Sequence, residues 1–146
     1  MLKMIHIEKS FNIGTVNEKQ IFKGLDLTIN DGDFITVIGG NGAGKSTMLN
    51  LIAGVHKADG GRIILDDEDL TYRNETQRAK YIGRVFQDPM MGTAPTMMIE
   101  ENLAMAYRRT KKRTLAWGIS QKERELYRES LAQLGLGLED RMKTKV

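Results

Sequence analysis

Alternating apolar and polar positions in the first thirty residues predict two strands. Residues 2–8 (LKMIHIE) are rich in aliphatic side chains, and residues 21–29 carry theirs at odd positions. A period of two is typical of a strand with one buried face. The sequence Asn-Asp-Gly at 30–32 then predicts a turn.

A continuous apolar run follows this turn and ends in glycine. The run from Phe34 to Ile38 is apolar on both faces, which predicts a central strand covered by helices on each side. After the glycine-rich stretch, residues 46–53 (STMLNLIA) predict a helix that Gly54 ends. The order of strand, glycine loop and helix is therefore expected here.

The rest of the chain predicts short strands and then helices. We expect strands at 62–65 and 81–86, and helices at 74–80, 99–107 and 121–134. Ser120 with Glu123 forms a capping-box pattern that opens the last helix, and Gly135 ends it.

Composition narrows the class of protein. A length of 146 residues suits one domain, and 22 basic against 19 acidic residues give a net charge of +3. That excess is too small to indicate a nucleic-acid partner. The absence of cysteine excludes disulfides and thiolate metal sites, and no run of about eighteen apolar residues predicts a membrane span.

The glycine loop has the spacing of a phosphate-binding loop (P-loop). Gly39 is followed after four residues by Gly44, Lys45 and Ser46. Glycines allow positive φ angles and carry no Cβ, so successive N–H groups can converge on phosphate oxygens. The alternative is a mobile glycine turn with an exposed lysine. The predicted strand before the loop and helix after it favour nucleotide triphosphate binding.

Each residue of the loop has an expected role. Lys45 reaches the β and γ phosphates, the Ser46 hydroxyl binds Mg²⁺, and Thr47 supplies a further hydroxyl. The expected nucleotide-binding residues are Gly39, Gly40, Asn41, Gly42, Ala43, Gly44, Lys45, Ser46 and Thr47.

Three ordered stretches make the resemblance to a family specific. The sequences VIGGNGAGKSTMLNLIAG, KADGGRIILDDEDLT and GRVFQDP resemble the nucleotide-binding subunit of an ATP-binding cassette (ABC) transporter, over about residues 4–143. The resemblance implies an α/β P-loop NTPase fold of the ABC ATPase type with an antiparallel β subdomain. It also implies ATP and Mg²⁺ as cofactors, a second nucleotide-binding subunit, transmembrane permease subunits and a peripheral place on the cytoplasmic face of the plasma membrane.

The resemblance assigns roles to two further residues. Phe11 matches the aromatic residue that stacks on adenine, although a core residue beside the first strand is an equal alternative. Gln87 matches the Q-loop glutamine that binds Mg²⁺ and reports the γ-phosphate to the membrane subunits, so Lys45 and Gln87 are the expected catalytic residues. The alternative for Gln87 is an ordinary exposed loop residue.

Two other features are weaker signals of function. Residues 63–67 (IILDD) imitate a Walker B strand, but we interpret Asp66 and Asp67 as a turn of the β subdomain. The basic cluster at residues 108–113 suits either anionic lipid headgroups or a solvated surface.

The later family motifs do not occur in residues 1–146. No LSGGQ-like signature, Walker B strand with its glutamate or switch histidine is present. We therefore expect a partial nucleotide-binding domain, with the central sheet incomplete because of truncation, that binds ATP but hardly hydrolyses it. Details such as GRVFQDPMMGTA resemble importers of amino acids. The alternatives are a small P-loop metabolite kinase and a non-functional remnant.

Overall fold

The computed structural model describes residues 1–109 and 118–146. These residues divide into two units, Met1–Ile82 and Gly83–Val146. The predicted phosphate-binding loop belongs to the first unit, and Gln87 belongs to the second.

An antiparallel sheet of four strands organises the first unit. Strand β1 (Leu2–Phe11) pairs with β2 (Lys19–Ile29) on one side and with β3 (Gly60–Leu65) on the other. A short β4 (Glu68–Asp69) extends the sheet beside β3, giving the order β2-β1-β3-β4. The antiparallel β subdomain expected from the sequence is therefore confirmed.

Helix α1 (Lys45–Ala53) contributes to the core of this unit. The fully buried side chains come from the sheet, the helix and the residue after β4: Leu2, Met4, Ile7, Leu51, Ile63 and Leu70. Each such side chain stabilises the fold by about 1.5–3 kcal/mol. Gly54 adopts a left-handed φ of 83° and ends α1, as the sequence predicts.

A short helix, α2 (Glu75–Arg78), places a buried arginine beneath α1. The Arg78 side chain is 1% exposed and donates to four main-chain oxygens, at 2.7 Å to Leu51, 2.9 Å to Ile52, 2.8 Å to Arg73 and 3.2 Å to Thr71. The pKa of Arg78 is lowered, because burial outweighs the opposite effect of the Asp69 charge. A cation at the carboxyl end of α1 interacts favourably with the helix dipole.

Two strand predictions are wrong for the described residues. The run from Phe34 to Ile38 is not a strand, and these two side chains are 96% and 89% exposed. Residues 81–86 are not a strand either, and Val85 is 98% exposed. A parallel strand acquires its hydrogen bonds from neighbouring strands, and the only sheet in the described ranges is the antiparallel one. The expected central sheet is therefore not formed by these segments.

The second unit is built around two helices, α3 (Ile99–Arg108) and α4 (Gln121–Ala132). Short 3₁₀ turns lie at Pro89–Gly92 and Leu138–Asp140. The buried core of the unit consists of Ala104, Tyr127, Leu131 and Met142. Both predicted helices are confirmed, and α4 ends two residues earlier than expected. No helix in the described ranges is long and apolar enough to cross a membrane.

Ion pairs tie the ends of these helices together. Arg108 donates to both carboxylate oxygens of Glu123, at 3.0 and 2.8 Å, and Arg124 donates to the buried Glu100 at 2.9 Å. The Ser120 capping box is confirmed, with the Ser120 hydroxyl accepting from the Glu123 amide. Hydrogen bonds from Arg108 and from the Ser120 amide outweigh desolvation and lower the pKa of Glu123 to about 2.

The basic cluster is only partly described. Arg108 is engaged with Glu123 and with the Gly118 carbonyl at 2.8 Å, and Arg109 is exposed. The predicted members Lys111, Lys112 and Arg113 lie outside the described residues.

Candidate nucleotide-binding site

The loop predicted to bind phosphate connects the exposed segment at residues 34–38 to α1. Gly42 and Gly44 have φ angles of 78° and 91°, a region that only glycine adopts freely. The Ala43 amide donates to the Gly40 carbonyl at 3.3 Å, which closes a tight turn inside the loop. The positive φ angles expected from the glycine spacing are present at two of the four glycines.

Gly44 is buried where the loop rests on β2. A Cβ built on Gly44 would lie 2.9 Å from Ile21 Cγ2 and 3.1 Å from the Phe22 ring. Real Cβ atoms do not approach other atoms as closely as the first of these distances. The close approach to β2 therefore fixes the position of the loop at Gly44. Both this steric limit and the positive φ angle require glycine at the N-cap of α1.

The amino end of α1 presents N–H groups without acceptors. Within the described part of the chain, the amides of Lys45, Ser46 and Thr47 donate to no oxygen, while the next amide, of Met48, donates to Gly44 at 2.8 Å. Unpaired amides and the helix dipole together make a helix start attractive to anions. No acidic side chain stands in this first turn to oppose an anion.

Lys45 curls back over the loop that precedes it. Its ammonium donates to the carbonyls of Gly39 at 2.7 Å and Gly40 at 2.8 Å. The side chain is half-buried, so its charge is held over the turn rather than extended into solvent. The two carbonyls keep a positive charge within reach of whatever the loop amides bind.

Ser46 and Thr47 occupy the first turn of α1, Ser46 exposed and Thr47 half-buried. The Ser46 hydroxyl makes no hydrogen bond to any residue that the structure describes. A hydroxyl oxygen is a ligand that suits Mg²⁺, which also takes phosphate oxygens and water. The described ranges hold no cluster of three or more acidic or histidine side chains that could bind a metal.

Phe11 lies at the end of β1, outside the buried core cluster. Its ring meets the ring of His56 edge to face, with centroids 5.3 Å apart and planes at 78°. The Lys9 ammonium stands 5.3 Å from the Phe11 centroid. The ring is half-buried, and its neighbours fix its orientation. This position differs from the core role that was the alternative for Phe11.

Asp59 holds Lys9 in place beside the Phe11 ring. Its carboxylate accepts from Lys9 Nζ at 2.7 Å and from the Ser10 amide at 2.6 Å. Burial raises the pKa of Asp59, but these two hydrogen bonds outweigh it and the pKa is lowered. Asp59 therefore stays ionised at neutral pH and anchors the end of β1.

Gln87 belongs to the second unit, where its side chain is exposed. The next residue, Asp88, accepts a hydrogen bond of 2.9 Å from the Met90 amide and caps the 3₁₀ turn. A role of Gln87 toward the phosphates stays a prediction.

Asp66 and Asp67 form the turn between β3 and β4, as we interpret them from the sequence. Asp66 has a φ of 52°, and its carboxylate accepts from the amino-terminal ammonium at 2.5 Å. Both residues are exposed.

Sequence reasoning missed one side chain beside the loop. Lys19 Nζ lies 3.7 Å from the position that a Cβ on Gly42 would take. The relevant signal is the pairing of β1 with β2, which places Lys19 opposite Phe11, and this register cannot be obtained from the loop motif.

Comparisons with known proteins identify the family to which the chain is similar. A family model described as ABC transporter matches residues 22–145. A tyrosine transport ATP-binding protein of Clostridioides difficile (strain R20291) is 42% identical over 111 residues, covering 76% of this chain and 44% of that protein. A spermidine/putrescine import ATP-binding protein of Escherichia coli (strain K12) is 44% identical over 93 residues, covering 64% of this chain and 24% of that protein.

Solved structures show the same fold. A dimeric ATP-binding cassette in a post-hydrolysis state, bound to ADP and Pi, aligns with a TM-score of 0.72 and 25% identity, over 99% of this chain and 61% of that one. An ATP-binding cassette of an ABC transporter in its ADP conformation aligns with a TM-score of 0.72 and 28% identity, over 99% and 57%. The expected fold class, a P-loop NTPase of the ABC ATPase type, is confirmed.

The extent of these matches sets what they establish. The chain spans less than half the length of the two curated relatives described above. The family model nevertheless covers most of the chain and includes the whole phosphate-binding loop. On that match, together with the loop and the antiparallel sheet, the chain belongs to the ABC transporter family.

Proposed function

We propose that this chain is the ATP-binding part of an ABC transporter subunit. The observation that carries the proposal is the row of unpaired amides at Lys45, Ser46 and Thr47, with the Lys45 ammonium held over the same loop. A polyphosphate tail supplies acceptors for all of these donors at once. Phosphate oxygens also match the positive dipole end of α1.

Each loop residue contributes to binding the negatively charged phosphates of the nucleotide. Lys45 leaves the Gly39 and Gly40 carbonyls and reaches the β and γ phosphates, while the backbone of residues 39–44 surrounds the chain of phosphates. The Ser46 hydroxyl oxygen would bind Mg²⁺, and the family resemblance makes Gln87 a second candidate ligand for that ion. Bound Mg²⁺ would neutralise charge that develops on the phosphates.

Phe11 is the proposed contact for the adenine ring. The edge-to-face packing on His56 and the Lys9 contact hold the ring in one orientation. Stacking on such an oriented ring adds about 0.5–1.5 kcal/mol beyond the burial of the base.

The proposal extends to the partners of this chain and to the solute that is transported. We place this chain in a dimer with a second nucleotide-binding subunit, bound to transmembrane permease subunits at the cytoplasmic face of the membrane. Similarity to proteins named for tyrosine transport and for spermidine/putrescine import supports import of a small solute. An amino acid is our proposed solute. The 146-residue chain alone should bind ATP and hydrolyse it hardly at all.

Equilibrium dialysis with labelled MgATP tests the proposal. Wild type should retain nucleotide, and Lys45→Ala should lose at least about tenfold in affinity, since one tenfold step is about 1.4 kcal/mol, within the range for a charge-assisted contact. Lys57→Ala is the matched control because Lys57 is an exposed lysine of the same unit.

Equal retention by wild type and Lys45→Ala would contradict the proposed site. Formation of a phosphorylated metabolite from ATP would instead favour the kinase alternative.

A further inference from the structure

Lys19 is the first residue of β2 and stands directly opposite Phe11 in the antiparallel pairing with β1. Facing residues in an antiparallel pair have Cβ atoms about 4.5–5.5 Å apart. The register therefore starts the Lys19 side chain beside Phe11, the residue that we propose for adenine.

The Lys19 side chain reaches from this position to the phosphate-binding loop. Its ammonium lies 3.7 Å from the place of a Cβ on Gly42, the glycine in the middle of the loop. Gly42 has a φ of 78° and carries no side chain, so the ammonium can approach the backbone there.

No anionic partner in the described ranges accounts for this position. None of the ion pairs or side-chain hydrogen bonds of those residues involves Lys19. The other lysine at the loop, Lys45, is satisfied by the Gly39 and Gly40 carbonyls. The loop thus has two ammonium groups beside it, Lys45 at Gly39 and Gly40 and Lys19 at Gly42, and among the described residues only Lys45 has acceptors.

We infer that Lys19 is a second phosphate-binding lysine, whose ammonium contacts the phosphate chain of the nucleotide at Gly42, next to the base-binding Phe11. The inference rests on the proposed function, because it requires a nucleotide in the loop. It goes beyond the loop motif, since Lys19 lies on a strand twenty residues before that motif begins.

The test compares Lys19→Gln, Lys19→Arg and Lys23→Gln with wild type in titrations with MgATP and with ADP. Lys23 is an exposed lysine four residues further along the same strand and serves as the matched control. At low salt, Lys19→Gln should weaken the binding of both nucleotides about 3- to 10-fold, as expected for a partly exposed charge pair. The difference in affinity between this variant and wild type should shrink at high salt. Lys19→Arg should restore most of the affinity, and Lys23→Gln should match wild type.

The outcomes separate this inference from the proposed function. If wild type binds and Lys45→Ala does not, but Lys19→Gln binds like wild type, only the role of Lys19 is overturned. A loss in Lys19→Gln that is independent of salt, or one that Lys19→Arg does not rescue, also overturns the phosphate contact. Absence of binding by wild type overturns both proposals.

Discussion

The guanidinium of Arg78 donates a hydrogen bond of 2.7 Å to the main-chain oxygen of Leu51, in the last turn of α1. The same helix presents the candidate phosphate-binding amides at its other end. A buried arginine whose hydrogen bonds within the described residues all go to main-chain oxygens thus fixes the carboxyl end of the helix that carries the site.

Replacing this arginine should destabilise the first unit. Arg78→Met removes donors to four oxygens, two of these hydrogen bonds being buried and two partly buried, and we expect a loss of about 2–4 kcal/mol in the free energy of unfolding. Urea denaturation of the nucleotide-free chain measures it. Arg62→Met, at an exposed arginine of β3, should change the free energy by less than about 0.5 kcal/mol. Equal effects of the two substitutions would contradict the capping role.

The contact between Gly44 and β2 makes a second prediction. Gly44→Ala places a Cβ 2.9 Å from Ile21 in a residue with a φ of 91°, so we expect a loss of about 1–3 kcal/mol in stability. Gly40→Ala is the control for stability, because a Cβ there meets nothing within 4 Å. Thermal unfolding followed by circular dichroism compares the two. A Gly44→Ala protein as stable as Gly40→Ala would show that the loop does not rest on the strand.

The orientation of Phe11 predicts a selective effect on the base. Phe11→Ala should weaken the binding of MgATP by about 2- to 10-fold, equivalent to about 0.5–1.5 kcal/mol of stacking. Phe11→Tyr keeps the ring and should bind like wild type. The measurement is a fluorescence titration with an ATP analogue, repeated with inorganic triphosphate, which has no base. A parallel loss for triphosphate would argue against adenine stacking.

The pair of Arg108 and Glu123 predicts a pH dependence. Because the pKa of Glu123 is lowered from 4.5 to about 2, the unfolded chain binds this proton more readily than the folded one. Stability from this group is complete above pH 4.5 and is lost as the pH falls towards 2. Glu123→Gln should show a smaller decrease in melting temperature over that window.

Glu129→Gln, at an exposed glutamate of the same helix, should keep the wild-type dependence on pH. The pair would be irrelevant if Glu123→Gln and wild type lost stability in parallel over this window.

The sequence predicted the helix caps and turns that depend on residues close together in the chain. The Ser120 capping box, the left-handed Gly54 and the turn at Asp66 each follow from side chains within a few positions, and all three are present. The loop motif predicted a helix directly after the loop, and α1 begins at Lys45, one residue before the predicted start at Ser46.

Features that depend on distant pairing were missed. The run at 34–38 has the composition of a central strand, but composition does not supply the neighbouring strands that a ladder needs. Lys19 was unnoticed because its place opposite Phe11 depends on a register that contains three shifts. Arg78 gave no signal, since charged residues in short helices are usually exposed.

The two carbonyls that hold Lys45 have a consequence for the energetics of the loop. A phosphate that takes this ammonium exchanges existing bonds for new ones, so the gain at Lys45 is the difference between the two sets. Gly39 and Gly40 therefore act as an internal competitor of the ligand. Such competition lowers the net affinity for the ligand and favours its release.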